Sequence, residues 1–343
     1  MITKPILSGL GLDGFKELAI AAGEPAFRAG QLAQWVYKKR ILDPDKMVNL
    51  PSGFKIFIKE NSDCCSSVIT QNSKSDGGTE KLLLTLRDGN AVEMVIIPSP
   101  KRITFCLSTQ VGCPVGCRFC ASGADGLVRN LQCGEMIEQL WHGSNVIGRL
   151  PDNVVFMGIG EGLLNFKQLA AALEIITDPE MFALSPRRIV VSTSGHVPGI
   201  RQLTELGKPF TLAVSLHAVN DAVRAKIIPD QFRYSIAEIL EACTEYREKI
   251  GRMVTLEYTL LAGVNDDDSA ARQLAAIARA QHAKINLIPY NETGTEFKRP
   301  TINTIRRFQQ ILESAHANVT LRMEKGSDTN AACGQLRRSQ TNS

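Results

Sequence analysis

Thr104-Phe105-Cys106-Leu107-Ser108-Thr109-Gln110-Val111-Gly112-Cys113-Pro114-Val115-Gly116-Cys117-Arg118-Phe119-Cys120 joins a short strand-like run to a loop that holds three cysteines. The β-branched and aromatic residues at 104–107 predict a buried strand. Further runs of the same character recur at 153–157, 188–191, 211–214, 254–258, 284–288 and 319–322. Helical patterns separate them. The last, with Ile302, Ile305, Phe308, Ile311, Leu312 and Ala315 at helical spacing, precedes the final run. Alternation of this kind predicts successive parallel βα units and an α/β fold, a partial (β/α)6-type barrel. Residues 1–95 read differently, with a helical pattern from Phe27 to Tyr37, a polar stretch from Ser73 to Gly78 and a strand-like run from Lys81 to Leu86. The predicted organisation is therefore an accessory domain at 1–95, the barrel at 96–322 and an extended tail at 323–343.

Composition narrows the class. Hydrophobic residues make up 44% of the 343 and charged residues 22%, the profile of a soluble globular chain. No apolar run reaches the length of a membrane span, and the N-terminus lacks a secretory pattern, so the expectation is a cytoplasmic protein without a membrane partner. Nine cysteines, four of them between 106 and 120, argue against a disulfide framework and for metal or redox chemistry. The net charge is +4, and residues 1–60 hold nine Lys or Arg against six Asp or Glu. That balance permits a nucleic-acid partner without requiring one.

Cys113, Cys117 and Cys120 are spaced so that one loop wraps a single metal group. A 4Fe-4S cluster normally takes four thiolates. Three leave one iron open to the amino and carboxylate groups of S-adenosylmethionine, whose sulfonium then lies where one electron cleaves it to a carbon radical. The competing reading is a zinc site, which needs four ligands, and no fourth Cys or His lies within ten residues downstream. In a parallel barrel the loops after the strands converge on one mouth. Those loops carry Gly160 and Glu161, Ser192, then Ser215, Leu216 and His217, and finally Asn291. Each alone reads equally as a turn, a cap or a satisfied core group; together they supply acceptors and donors for an ammonium, a carboxylate, a ribose or an adenine. Two other thiols stand apart. Cys333 is flanked by small residues that leave a thiol accessible and mobile enough to carry a group. Cys106, on the first strand, reads either as a thiol near the mouth or as a small buried hydrophobe. Cys64, Cys65, Cys133 and Cys243 read as structural or unreactive.

The chain resembles the RlmN/Cfr family of radical methyltransferases that act on adenine in ribosomal RNA. The motifs that carry the resemblance are Gln110-Val111-Gly112-Cys113 with the cysteine spacing, Arg129-Asn130-Leu131, Leu163-Leu164-Asn165, Ser192-Thr193-Ser194-Gly195, Ser215-Leu216-His217-Ala218, Lys284-Ile285-Asn286-Leu287-Ile288-Pro289 and Ala331 to Leu336. It implies a radical S-adenosylmethionine barrel with a 4Fe-4S cluster on Cys113, Cys117 and Cys120, and a cofactor site of Gly160, Glu161, Ser192, Ser215, Leu216, His217 and Asn291. It further implies that one S-adenosylmethionine methylates Cys333, and that a second yields a deoxyadenosyl radical that activates the new methyl for addition to the adenine ring. Cys106 then resolves the protein–RNA adduct through a transient disulfide with Cys333, and Glu93 is the proton acceptor. The implied substrate is 23S rRNA, carbon 2 of adenine ahead of carbon 8, with tRNA as a second candidate. An external electron donor such as flavodoxin and a monomeric state complete the expectation. Lys38-Lys39-Arg40 is a candidate RNA contact, although a bare charge cluster is more often a solvated face. Two departures stand out: Gly162 replaces the Pro that the family carries after the Glu, and residues 292–296 lack its Pro-Phe pattern. Two other readings remain: a radical enzyme on this scaffold with a different RNA or protein substrate, and a non-catalytic, metal-stapled RNA-binding protein.

Overall fold

The computed structural model describes residues 4–322, 331, 332 and 334–336. Its N-terminal part is helical, with α1 at Leu12–Ala21, α2 at Arg28–Ala33 and α3 at Ser52–Asn61. Phe27 to Tyr37 is helical as its spacing predicts, but α2 passes into a π-helical turn at Gln34–Lys38. The wider turn seats Trp35, Val36 and Tyr37 together in the core. Tyr37 is fixed there by a hydrogen bond from its hydroxyl to the Ser8 carbonyl, 3.2 Å.

Three strands follow, β1 at Ser67–Lys74, β2 at Glu80–Leu86 and β3 at Ala91–Ser99, joined as an antiparallel meander. β3 also pairs antiparallel with β4 at Arg102–Cys106. A short hairpin, β5 at Gln110–Gly112 and β6 at Leu127–Asn130, comes next. The parallel series then runs β7 at Asn153–Phe156, β8 at Ile189–Thr193, β9 at Thr211–Ser215, β10 at Thr255–Leu260, β11 at Lys284–Pro289 and β12 at Asn318–Leu321. All but the hairpin form one ten-stranded sheet in the order β1-β2-β3-β4-β7-β8-β9-β10-β11-β12, parallel from β4 onward.

Helices α4 at Cys133–Ile147, α5 at Phe166–Thr177, α6 at Val197–Glu205, α7 at Asp221–Ala225 with α8 at Ile236–Ile250, α9 at Asp268–Ala280 and α10 at Ile302–Ser314 fill the crossovers. The inner strands are almost wholly buried because both faces are covered. α10 shows the sorting by period: Ile305, Phe308 and Leu312 are buried, whereas Ile302 is exposed.

The helical N-terminal part is seated on α4. Gly9 and Gly134 meet so closely that a Cβ on Gly9 would lie 2.6 Å from the Gly134 nitrogen, so neither position accepts a side chain without movement. Beside this contact the buried Glu138 carboxylate accepts from the Ser8 hydroxyl at 2.9 Å, the Ser66 N–H at 2.9 Å, the Ser66 hydroxyl at 3.0 Å and the Ser67 hydroxyl. Removing such an acceptor strands several buried donors at once. Glu138→Ala is expected to lower unfolding free energy by about 3 kcal/mol, and Glu138→Gln by roughly half of that, in a urea titration followed by far-UV circular dichroism.

Candidate active site

The cysteine loop hangs from the C-terminal end of β4 and is fixed on every side. The β5–β6 hairpin closes its base, and the Cys113 N–H donates to the Gly126 carbonyl at 3.1 Å. The Arg118 N–H donates to the Ile227 carbonyl at 2.9 Å, and the Thr293 hydroxyl to the Phe119 carbonyl at 3.0 Å. Val115, Phe119, Ile227, Ile228, Leu261, Tyr290 and Phe297 form an apolar shell on which the three cysteines pack. Desolvation in that shell pushes the Cys113 thiol up to about 12, and the Cys117 thiol well above its ordinary value.

Glu161 follows β7, and a chain of hydrogen bonds positions it. Gln110 Nε2 donates to Asn130 Oδ1 at 2.8 Å, and the Glu161 N–H donates to Gln110 Oε1 at 2.8 Å. The Glu161 carboxylate accepts from the Ser194 N–H at 2.6 Å and the Leu163 N–H at 3.2 Å. Burial raises its pKa against these hydrogen bonds, a balance that an ammonium partner would tip back toward the carboxylate. The neighbouring Gly160 has φ +108°, and its missing Cβ would lie 2.6 Å from Gln110 Cβ, so the approach of the two loops requires glycine. Arg129 makes the other end of the hairpin rigid, pairing with Asp88 at 2.6 Å and Glu135 at 2.7 Å.

His217 is buried and has a positive φ of 54°. Its Nδ1 accepts from the Thr259 N–H at 3.1 Å, which leaves Nε2–H as the ring's donor. Burial, reinforced by the Arg224 charge, depresses its pKa to about 3. Ser192 is the penultimate residue of β8, Ser215 ends β9, and Asn291 lies just beyond β11.

One cavity of about 480 Å³, within the usual range for small-molecule sites, brings most of the sequence-selected residues together. Cys106, Cys113, Cys117, Cys120, Gly160, Glu161, Ser192, Ser215, His217 and Asn291 line it. Leu216 does not; it is buried behind, its N–H donating to the Glu257 carbonyl at 3.1 Å. Glu93 is also outside the lining and pairs with Lys81 at 2.8 Å. It lies two residues from Val95, the register partner of Cys106, so strand alternation places Glu93, Val95 and Cys106 on one face of the sheet. Cys333 lies outside the described residues. Its neighbours Ala331, Ala332, Gly334 and Leu336 line the cavity, with the Ala121 N–H donating to the Gly334 carbonyl at 2.8 Å and the Ser122 hydroxyl to the Leu336 carbonyl at 2.6 Å. The Lys38-Lys39-Arg40 cluster is engaged within the chain: Lys38 lies 3.6 Å from Glu180, Lys39 3.5 Å above the Trp35 ring, and Arg40 Nη2 3.5 Å from the Gly148 carbonyl.

Glu257 is a lining residue that sequence reasoning passed over. It is buried on β10 near Arg322 and Lys284, with Oε1 accepting from Asn286 at 2.9 Å and Oε2 without a hydrogen-bond partner among the described residues. A carboxylate inside the run Val254-Thr255-Leu256-Glu257-Tyr258 is the signal that would have found it.

Comparison with known proteins agrees with this geometry. The Radical SAM superfamily model matches residues 107–275, and the model described as the ribosomal RNA large subunit methyltransferase N-terminal domain matches residues 7–62. A parallel partial barrel with a three-cysteine loop after its first parallel strand thus defines a radical S-adenosylmethionine enzyme. A probable dual-specificity RNA methyltransferase RlmN 3 from Opitutus terrae is 44% identical over 97% of this chain and 94% of its own length. A probable dual-specificity RNA methyltransferase RlmN from Rhodopirellula baltica is 41% identical over 95% and 89%. The crystal structure of a radical SAM methyltransferase from Sphaerobacter thermophilus superposes with a TM-score of 0.92 at 39% identity, covering 97% of this chain and 99% of that one. The chain belongs to the RlmN family of radical S-adenosylmethionine RNA methyltransferases.

The family's cofactors are a 4Fe-4S cluster and S-adenosylmethionine, and the residues present fit both. Three half-buried thiols on one loop, packed on an apolar shell and facing one cavity, suit a polynuclear iron centre better than they suit free thiolates. Glu161, the two serines and Asn291 open onto the same cavity.

Two outcomes follow. Cys113→Ala, Cys117→Ala and Cys120→Ala are each expected to lose most of the iron and sulfide measured after anaerobic reconstitution, while keeping the native circular dichroism spectrum. His217 is neutral when folded down to about pH 3 but takes a proton when unfolded below about 6.5. Its contribution to stability is therefore complete above pH 6.5 and lost as pH falls toward 3. Denaturant titrations of the apoprotein across that window should show about one proton fewer bound on unfolding for His217→Gln than for wild type.

Proposed function

We propose that this enzyme methylates a ring carbon of adenine in RNA, carbon 2 of a 23S rRNA adenine first and tRNA as a second substrate, with Cys333 as the methyl carrier. The observation that carries the reading is a single cavity lined by the three loop cysteines, by Cys106 and by the residues on either side of position 333. Radical generation, thiol carrier and resolving thiol all need one chamber. The names of the RlmN relatives, dual-specificity RNA methyltransferases, support the substrate class.

When bound, the cluster and S-adenosylmethionine supply the carbon radical that activates the methyl on the carrier thiol. The protein's own groups do the rest. Cys113, Cys117 and Cys120 hold the cluster; Glu161 takes the methionyl ammonium, Ser192, Ser215 and Asn291 bond the ribose and carboxylate, and His217 donates through Nε2–H. Gly160 and the Leu216 backbone shape the wall. An adenine C–H carbon does not attack a sulfonium, so the new carbon is joined to the ring while still bonded to Cys333 sulfur. The ring radical left by that addition gives up one electron to the oxidised cluster, and Glu93 accepts the proton that leaves the ring carbon. Cys106 attacks Cys333 sulfur; the S–S bond forms as the S–C bond breaks, and the electron pair of the broken bond takes up a proton to complete the methyl. The helical N-terminal domain grips the RNA, and an external one-electron donor such as flavodoxin serves a monomer.

Nucleoside digestion and mass analysis of RNA from a strain lacking the gene decide the reaction. Loss of 2-methyladenosine, restored by the wild-type gene and not by Cys333→Ala, is expected; restoration of 8-methyladenosine instead would move the product to carbon 8. In vitro, Cys106→Ala should accumulate a covalent protein–RNA adduct seen as a gel shift, whereas Cys333→Ala should form none.

A further inference from the structure

Arg224 ends α7 and is completely buried. Its Nη2 donates to the Ser194 carbonyl, but Nε and Nη1 have no hydrogen-bond partner among the described residues. A guanidinium in that state is costly unless an anion faces it. The groups around it offer little. Asp221 attracts it weakly, Arg233 repels it, and His217 is neutral. Its strongest attraction is to Cys117, a half-buried thiol that lines the cavity.

The segment that bears Arg224 forms the wall behind the cysteine loop. Val223, Ile227 and Ile228 pack with Cys113, Cys117 and Cys120, the Ile227 carbonyl holds the Arg118 N–H, and Pro229 lies 3.8 Å from the position of a Cβ on Gly116. Besides Asp221, the anionic partner that Arg224 meets in the assembled enzyme is the Cys117 thiolate on this loop.

We propose that Arg224 is a built-in counter-charge for the iron-sulfur cluster, its two unpartnered N–H groups directed at the electron density of that cluster. Three thiolates outweigh the positive charge of the iron-sulfide core, so the cluster is anionic and becomes more so on taking an electron. A fixed buried cation therefore favours the reduced form, because net charge and hydrogen bonds at the sulfurs set the potential. Arg224 acts through the cluster and is a positioning and tuning residue, not a catalytic one.

The test is a spectroelectrochemical titration of the reconstituted holoenzyme without S-adenosylmethionine, read by the electron paramagnetic resonance of the reduced cluster. Arg224→Met and Arg224→Gln are expected to lower the reduction equilibrium constant at least tenfold, about 59 mV for a one-electron couple. Arg224→Lys, which keeps the charge, should recover most of that shift. An unchanged potential in a neutral variant that holds full iron overturns the proposal. So does a lysine variant shifted as far as the glutamine one. Weakened binding of S-adenosylmethionine with an unaltered potential would instead make Arg224 a ligand of the cofactor carboxylate. The inference rests on a cluster at the three cysteines; failure of that premise appears as wild-type protein without iron, an outcome distinct from full iron with an unmoved potential. If Arg224→Met does not fold, Arg224→Gln, which retains a donor for the Ser194 carbonyl, carries the measurement.

Discussion

Strand β4 pairs antiparallel with β3 and parallel with β7, and this change of sense within one sheet is the constraint on which the site depends. Every strand after it runs the same way, so the loops after them open at one end. Because β4 is also where the cysteine loop begins, Cys106 at its end stands beside that loop. The antiparallel neighbour then brings Val95 opposite Cys106 and Glu93 to the same face.

The second organising fact is dryness. Glu161, His217, Glu257 and Arg224 are all buried in or beside the cavity, as is Cys106, while the three loop thiols are half-buried. Burial raises the carboxyl groups, lowers the imidazole and lowers the guanidinium to about 10. Around groups buried this deeply, each charge that arrives with cofactor or electron meets fixed dipoles and charges that are only weakly screened. The same dryness lets Arg224 matter despite its distance from the substrate chemistry.

The parallel half of the fold was legible because its strands are short apolar runs separated by helical periods: all seven observed parallel strands fall on runs that composition marks out. The antiparallel extension was less so. β1 is almost entirely exposed and polar, Ser67-Val68-Ile69-Thr70-Gln71-Asn72-Ser73-Lys74, and is a strand because β2 pairs with it. β3 is buried nearly throughout its first two-thirds, so alternation does not reveal it. β5 and β6 are too short for any pattern and owe their form to hydrogen bonds with each other. Arg224 carries no local motif, and what distinguishes it is burial, a tertiary property; Glu257 is marked only by being a carboxylate within a strand-like run. Lys38-Lys39-Arg40 shows the converse, since a conspicuous charge cluster turns out to spend its side chains on Glu180, Trp35 and Gly148.

Gly162 can be understood in the same terms. It opens the 3-10 turn Gly162–Asn165, whose N-cap is Glu161, at a position where proline is well tolerated. Proline would hold the turn by fixing its own φ. Here the turn is held from the other side: Glu161 accepts from Leu163 and Ser194, and Asn165 donates to the Thr109 and Leu131 carbonyls at 2.9 and 2.8 Å. A Cβ on Gly162 would lie 3.3 Å from both Leu169 Cδ2 and Thr109 Cγ2, so the space a ring would fill has already closed. The rigidity Glu161 needs thus comes from hydrogen bonds and from the close packing of Leu169 and Thr109 around Gly162.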